Sequence, residues 1–266
     1  MKNIKIVLVE PAGALNIGSI ARVMKNIQLT QLVLVNPQCD PVGKEARLMA
    51  VHAQDVLDNA VIVDSLPAAL QGCQRAIATT ARSRSLPTAL ETPRQALPWL
   101  VAPDITSAVI FGSEERGLSN QELNYGQRFV CIPTNPEYSS LNLAQAVAIC
   151  GYELYQTYLA RDFDEATGSV VKEQDSVHNS KAYARLQDDP IARLESPVEN
   201  APVEAIEAYY DSLQSLLLEI GFLYPHTVAA RMAKVRRIYN RANLKLEEVS
   251  LLRGMLRQIR WAIDRD

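Results

Sequence analysis

The chain has 266 residues, and its 27 Lys and Arg against 30 Asp and Glu give a net charge of −3. Hydrophobic residues make up 48% and charged residues 21%, which excludes a wholly disordered protein and a uniformly basic nucleic-acid binder. No apolar run approaches the roughly 18 residues of a membrane span. This length predicts one large domain or two smaller ones.

Short β-branched runs alternate with helical patterns over the first 160 residues, which predicts an α/β fold with a parallel sheet. The first strand is expected over residues 4–9 and the first helix over residues 16–29. The later elements, in chain order, are a strand over 31–35, a helix over 46–57, a strand over 61–63, a helix over 66–70, strands over 75–79, 106–111 and 129–132, and a helix over 142–159.

The charge of the chain divides it into three zones. The net charge is −1 over residues 1–160, −8 over residues 161–220 and +6 over residues 221–266. Residues 161–203 are also rich in acids, Ser, Asn and Pro with little periodicity, and helical spacing returns after them. We therefore predict an α/β domain over 1–160, an acidic linker of disordered composition over 161–203, and a small helical module over 204–266.

The helical module is predicted to contain three short helices. The apolar face of the first helix ends near Gly221, and Thr227 is a candidate cap for the second. The third is expected from about residue 246 to residue 263. One face of the second helix carries four cations at spacings of 3, 3 and 4, namely Arg231, Lys234, Arg237 and Arg241. These cations are either an RNA-phosphate stripe or the solvated face of a dimerisation helix.

The chain contains four cysteines with no CxxC spacing, and three histidines. This pattern disfavours a disulfide framework and a zinc site. Reduced and mostly buried thiols, in a cytoplasmic protein without a bound metal, are expected instead.

Ligands of open α/β sheets bind at the carboxyl ends of the strands, so the segments that follow the predicted strands are the candidate binding sites. The first segment, residues 11–19, is not a GxGxxG fingerprint, and Asn36 ends the second strand where a dinucleotide site needs an acidic residue. Residues 11–19 still predict a glycine-containing loop that leads into a helix, and the free N–H groups at the start of that helix could bind a phosphate. Arg22 is expected on the first turns of that helix, as a ligand or as a solvated arginine.

Three further segments follow later strands. Residues 79–85 combine small side chains with two arginines, and residues 111–119 carry adjacent carboxylates. Residues 131–147 contain a rigid proline turn, after which Ser139 or Ser140 is expected to cap a helix. Each segment taken alone could be an ordinary loop or a capped helix.

Together these segments resemble the three motifs of the SPOUT class of RNA methyltransferases, in its ribose 2′-O-methylating (TrmH/TrmJ-like) branch. The motifs read Asn16-x-Gly18-x-x-x-Arg22, then Phe111-Gly112-x-Glu114-x-x-Gly117-Leu118, then Ile132-Pro133 with Ser139-Ser140-Leu141-Asn142-Leu143-Ala144. Residues 79–84 and 135–143 are most similar to the TrmJ-type tRNA methyltransferases, which modify the ribose of nucleotide 32 in the anticodon loop. The resemblance is strong over residues 4–155 and extends to the tail in layout more than in sequence.

The resemblance implies a SPOUT methyltransferase fold whose parallel sheet ends in a deep trefoil knot, a topology that general rules of chain connection disfavour. It also implies a homodimer in which Arg22 lies in or near the active site of the other subunit. Ser113 departs from the second motif and is expected to affect substrate contact more than cofactor binding. The expected contacts of S-adenosylmethionine are Thr79, Thr80, Ala81, Gly112, Ile132, Ser140, Leu141 and Asn142.

The implied reaction is an in-line attack of a ribose 2′-hydroxyl on a sulfonium methyl group, so positioning and removal of the hydroxyl proton are the main tasks. A guanidinium with a pKa above about 12 is a poor base, and Arg22 is therefore expected to clamp the target phosphate and ribose oxygen. Ser140 and Asn142 would orient the hydroxyl. The remaining expected roles are loop support by Glu114 and Gly117, and RNA contacts by Asn16, Arg82 and Arg84.

The resulting prediction is an S-adenosylmethionine-dependent enzyme that methylates the ribose of C32, U32 or both in tRNA and needs no metal. Two other functions stay open. One is 2′-O-methylation of ribosomal RNA by an enzyme of the same fold, and the other is a non-catalytic RNA-binding dimer that uses the knot as a scaffold.

Overall fold

The computed structural model describes residues 1–81, 90–166 and 200–263, with the backbone alone for residues 162–166. Within these ranges six strands form one parallel sheet in the order β3-β2-β1-β5-β4-β6. The predicted α/β fold with a parallel sheet is confirmed. The strands are β1 Ile4–Val9, β2 Gln31–Val35, β3 Val61–Val63, β4 Arg75–Thr79, β5 Ser107–Phe111 and β6 Arg128–Val130.

Helices connect the strands and continue beyond the sheet. A single 3₁₀ turn, Leu97–Leu100, lies between β4 and β5 in the described residues. The helices of the described residues are α1 Ala14–Asn26, α2 Lys44–Ala50, α3 Gln54–Asp58, α4 Leu66–Ala69, α5 Pro93–Ala96, α6 Asn120–Leu123, α7 Leu143–Ala166, α8 Val203–Glu219, α9 Val228–Ala242 and α10 Leu246–Ile263.

Several predicted elements have different bounds in the structure. The helix predicted over residues 46–57 is two helices, because Val51 takes a positive φ of 54° that a helix cannot contain. The first helix spans Ala14–Asn26 instead of residues 16–29, so it both begins and ends earlier than predicted. The last strand ends at Val130, and Ile132 lies beyond it.

The two faces of the sheet pack against separate apolar cores. Alternate residues of β1 point to opposite sides, so Ile6 and Leu8 join one core while Val7 and Val9 join the other. The first core is closed by α1, α2 and α7. Gly18 permits the contact between α1 and α2, since a Cβ atom there would lie 2.1 Å from the Ala46 carbonyl oxygen. This packing fixes α1, and with it the segment that follows β1.

The three predicted helices of the C-terminal module are present as α8, α9 and α10, and they share a third apolar core. Gly221, two residues after the end of α8, has a φ of +75°, as is typical of a glycine that terminates a helix. Ile220, just before this glycine, is 48% exposed because it lies past the last turn of α8. Thr227 occupies the predicted N-cap position of α9, but its hydroxyl donates to the Tyr224 carbonyl and makes no capping hydrogen bond.

The module contacts the sheet domain at two places. The Val203 N–H donates to the Cys73 carbonyl at 2.8 Å, and the Gly72 N–H donates to the Glu204 carboxylate at 3.2 Å. The Asn240 side chain donates to the carbonyls of Asn124 and Gly126, both at 3.3 Å. These polar contacts hold α8 and α9 against the edge of the sheet that ends in β6.

The linker prediction falls mainly on residues 167–199, which lie outside the described residues. At its start α7 continues to Ala166, past the predicted end of the helix at residue 159. The domain boundaries and the trefoil knot stay predictions.

Candidate active site

A cavity of about 290 Å³ lies at the carboxyl edge of the sheet, between the segments that follow β4, β5 and β6. Its volume is at the lower end of the range for small-molecule sites. Asn142 is not among the described residues that line the cavity. The other seven residues expected to contact the cofactor all line it, namely Thr79, Thr80, Ala81, Gly112, Ile132, Ser140 and Leu141.

The segment after β5, residues 112–119, closes on itself at Gly112. A Cβ atom on Gly112 would lie 2.1 Å from the Gly117 carbonyl carbon and 2.2 Å from the Leu118 nitrogen, so only glycine fits. Gly117 has a φ of +66°, and its N–H donates to the Ser113 carbonyl at 3.0 Å. Both glycines are therefore required by the fold of this segment, which we call the β5 loop.

The Glu114 carboxylate joins the β5 loop to the segment that follows β1. It accepts hydrogen bonds from the N–H groups of Ala12 and Gly13 at 2.9 and 3.1 Å, and from the Asn16 side chain at 2.8 Å. Burial alone would raise the pKa of Glu114, but the hydrogen bonds outweigh it and hold this pKa below its ordinary value. Glu114 is therefore ionised at neutral pH and holds two loops together.

Asn16 links this contact to the third segment. The Asn142 side chain donates to the Asn16 side-chain oxygen at 2.9 Å, so a chain of hydrogen bonds runs from Glu114 through Asn16 to Asn142. The Asn142 oxygen in turn accepts from the Ala144 N–H at 2.8 Å at the start of α7. Asn142 thus caps α7, and the predicted cap by Ser139 or Ser140 is wrong because both serines lie farther from the first helical residue, Leu143.

The turn before α7 is held by its own polar groups. The Asn135 side chain accepts from the Glu137 N–H at 3.0 Å, and its carbonyl accepts from the Tyr138 N–H at 3.0 Å. The Thr134 hydroxyl donates to the Ser139 carbonyl at 3.2 Å. Since these bonds spare the hydroxyl of Ser140, an exposed residue that lines the cavity, that hydroxyl can face a ligand.

An ion-pair network that the sequence analysis missed supports the other end of the β5 loop. Arg116 pairs with Glu10 at 2.6 Å and with Glu122 at 2.8 Å. The hydrogen bonds that Arg116 donates to both carboxylates raise the pKa of its guanidinium above the ordinary value. Ser119 and Glu122 also form a capping box at α6, and their S-x-x-E spacing was the one sequence signal for part of this network.

Arg22 lies on the third turn of α1, eight residues after Ala14, and not on the first turns as expected. Its side chain is exposed, on the same face of the helix as the half-exposed Leu15 seven residues earlier. The difference follows from the early start of α1 at Ala14. Arg82 and Arg84 lie outside the described residues.

The four cations of the predicted basic stripe on α9 have different neighbours. Lys234, Arg237 and Arg241 line a second cavity of about 560 Å³ between α9 and β6, whereas Arg231 donates to the Phe222 carbonyl at 2.8 Å. Arg236, which the sequence analysis did not single out, forms a two-point ion pair with Glu207 at 2.5 and 2.7 Å and anchors α9 to α8.

Within the described ranges, no cluster of three or more His, Cys, Asp or Glu side chains is arranged to hold a metal ion. No helix in the same ranges is long and apolar enough to cross a membrane. All four cysteines are free. Cys73 and Cys150 are buried while Cys39 and Cys131 are half-buried, so the burial predicted for the thiols holds fully for two of them.

Comparison with known proteins shows the class of protein to which this chain belongs. The chain is 40% identical to the tRNA (cytidine/uridine-2′-O-)-methyltransferase TrmJ of Klebsiella pneumoniae over 261 residues, 97% of each chain. It is 37% identical to the protein of the same name from Pectobacterium atrosepticum over 99% of each chain. The crystal structure of TrmJ from Z. mobilis ZM4 matches with a TM-score of 0.76 and 28% identity, over 96% of this chain and 98% of that chain. The fold is therefore that of an α/β methyltransferase.

Two family models divide the chain between them. Residues 3–152 match the SpoU rRNA methylase family, and residues 204–266 match the C-terminal domain of the tRNA methyltransferase TrmJ. The chain belongs to the SpoU methylase family, which confirms the resemblance carried by the three motifs.

Proposed function

We propose that this methyltransferase transfers a methyl group from S-adenosylmethionine to the ribose 2′-hydroxyl of cytidine, uridine or both at position 32 of the tRNA anticodon loop. The observation that carries the proposal is the similarity to tRNA (cytidine/uridine-2′-O-)-methyltransferases over 97% of both chains, catalytic domain and helical module together. Position 32 comes from the resemblance of residues 79–84 and 135–143 to the TrmJ-type enzymes.

The cavity has the chemistry that S-adenosylmethionine requires. Leu118, Ile132 and Leu143 supply apolar walls for a purine ring, while Thr80 and Ser140 supply hydroxyls for polar groups of the cofactor. When bound, the cofactor supplies an electrophilic methyl group on a sulfonium that is a good leaving group. The residues that hold it are the seven that line the cavity, with the β5 loop fixed by Gly112 and Glu114.

The protein contributes mainly by orienting the reactants. Ser140 and Asn142 orient the ribose hydroxyl, and the hydrogen bond of Asn142 to Asn16 limits the motion of its amide. Glu114 accepts hydrogen bonds from three donors in the segment after β1, which lower its pKa, and it serves to hold the loops rather than to accept a proton. Gly117 preserves the turn beside it. The reaction assigned to these residues uses no metal.

Arg22 acts across a homodimer. Its side chain is exposed and is not among the described residues that line the cavity, which supports a role in the site of the other subunit, where it clamps the target phosphate and ribose oxygen. A guanidinium stays protonated at neutral pH and therefore binds anions rather than acting as a base.

RNA is bound by the catalytic domain and the module together. Lys234, Arg237 and Arg241 share one cavity at the sheet edge and supply phosphate contacts. Arg82 and Arg84 contact phosphates of the anticodon loop, and Asn16 contacts RNA near the site.

The deciding experiment is methyl transfer from labelled S-adenosylmethionine to purified tRNA and, in parallel, to ribosomal RNA, with the modified position mapped. Ribose methylation at nucleotide 32 of tRNA is expected. Modification of ribosomal RNA alone would favour an enzyme of the same fold with another substrate. Failure to bind the cofactor, measured as the absence of a shift in thermal stability, would favour a non-catalytic RNA-binding dimer.

A further inference from the structure

The turn between α8 and α9 exposes three aromatic rings. Phe222 is 57% exposed and Tyr224 is 52% exposed. The ring of His226, also exposed, stacks on Tyr224 with a centroid distance of 5.9 Å and an interplanar angle of 21°. Large exposed rings that lie together usually mark an interaction site. We call residues 222–226 the aromatic turn.

The backbone of the aromatic turn is held in place. Leu223, between the two exposed rings, is 1% exposed and belongs to the core of the module. Its N–H donates to the Leu217 carbonyl at 2.9 Å. The Tyr224 carbonyl accepts from the N–H groups of Thr227 and Val228, both at 2.9 Å. Because the turn is already ordered, binding through these rings would cost little conformational entropy.

The aromatic turn lies at one end of a basic helix face. The Arg231 guanidinium lies 5.9 Å from the centre of the Phe222 ring and donates to the carbonyl of the same residue. From Arg231 the cations continue along α9 through Lys234 and Arg237 to Arg241, a rise of about 15 Å over ten residues. Rings beside a line of cations match a polyanion with accessible aromatic bases, and they match an apolar protein surface poorly.

We propose that the aromatic turn stacks on unpaired bases of the RNA substrate while the cations of α9 hold the phosphates that follow them. The proposal rests on the proposed function in so far as RNA is the substrate. Single-stranded loops expose base faces that aromatic side chains can cover, whereas the bases of a duplex are already stacked on one another. The module therefore selects an RNA loop and does not bind charge alone.

The test compares two labelled RNAs of equal length and charge, an anticodon stem-loop and a fully paired duplex, each titrated with the full chain. Tyr224→Ala and Phe222→Ala are each expected to weaken binding of the stem-loop by roughly 5- to 150-fold, the range for loss of one base–aromatic stack, and to leave duplex binding unchanged. Tyr224→Phe keeps the ring and is expected to keep the affinity. The matched control is Ile220→Ala, which removes an exposed aliphatic side chain close to the same turn.

Salt dependence separates stacking from charge. The two ring variants are expected to keep the slope of log affinity against log salt, while Arg237→Gln lowers its magnitude by roughly 0.7–0.9. Equal losses for both RNAs, an equal loss in Ile220→Ala, or a change of oligomeric state in the ring variants would each overturn the proposal. The proposed function can fail on its own. In that case the wild-type chain transfers no methyl group to tRNA, although the ring variants still bind the stem-loop more weakly than the wild type.

Discussion

Replacing Glu114 with glutamine tests whether one carboxylate holds the loops around the cavity together. Glu114 accepts three hydrogen bonds, and an amide would turn its NH₂ group toward at least one of those donors. A hydrogen bond to a charged group contributes about 1.5–3 kcal/mol, and water replaces part of it at a half-buried site. We expect Glu114→Gln to lower the free energy of unfolding of the catalytic domain by about 2 kcal/mol.

The assay is urea unfolding followed by the fluorescence of Trp99, in a Trp261→Phe background so that the signal comes from the sheet domain. The matched control is Glu115→Gln, which removes the same charge from the exposed neighbouring side chain. A surface substitution of this kind is expected to stay within about 0.5 kcal/mol. Equal unfolding midpoints for Glu114→Gln and Glu115→Gln would refute the reasoning.

The pH dependence of the same pair gives an independent test. The folded-state pKa of Glu114 lies below its ordinary value, so its stabilisation is complete above the unfolded pKa of about 4.3 and is lost as the pH falls through the folded pKa. The stability difference between wild type and Glu114→Gln should therefore be constant from about pH 6 to 8 and shrink below about pH 4.3. A difference that grew on acidification would contradict the assignment.

Three further predictions concern the cofactor, the reaction and the RNA. Arg22→Ala should keep S-adenosylmethionine binding in calorimetry and lose methyl transfer in a single-turnover assay, and near-normal turnover would exclude its role. Gly112→Val should abolish cofactor binding because its side chain collides with the backbone of Gly117, and unchanged affinity in a folded variant would contradict the site. Deleting residues 204–266 should weaken tRNA binding and reduce the magnitude of the slope of log affinity against log salt by roughly 0.7–0.9 per lost phosphate contact. Residues 1–160 should still bind the cofactor. An unchanged affinity and slope would assign RNA recognition to the sheet domain alone.

The sequence by itself determined the strands and the general place of the site. The predicted bounds of β1 to β4 coincide with the structure, because buried strands are short apolar runs that a local pattern reveals. That the segments after β4, β5 and β6 meet at one edge could be predicted, because parallel strands bring their carboxyl ends together, whereas the individual cavity residues were named only from the resemblance of their motifs to the SPOUT methyltransferases. The break between the two helices at Val51 could not be predicted in this way, because the helical spacing of apolar residues continues across Val51 although its φ is positive.

Only the tertiary structure decided how the loops support one another. Glu114 meets Asn16 across 98 positions, and Asn16 meets Asn142 across 126, so no local pattern could pair them. The position of Arg22 on the third turn depends on where α1 begins, and the partner of Arg231 is the Phe222 carbonyl in the preceding turn. Spacing along a helix gives the face on which a charge lies, whereas its partner is set by the element that packs nearby, which is information carried by the folded chain as a whole.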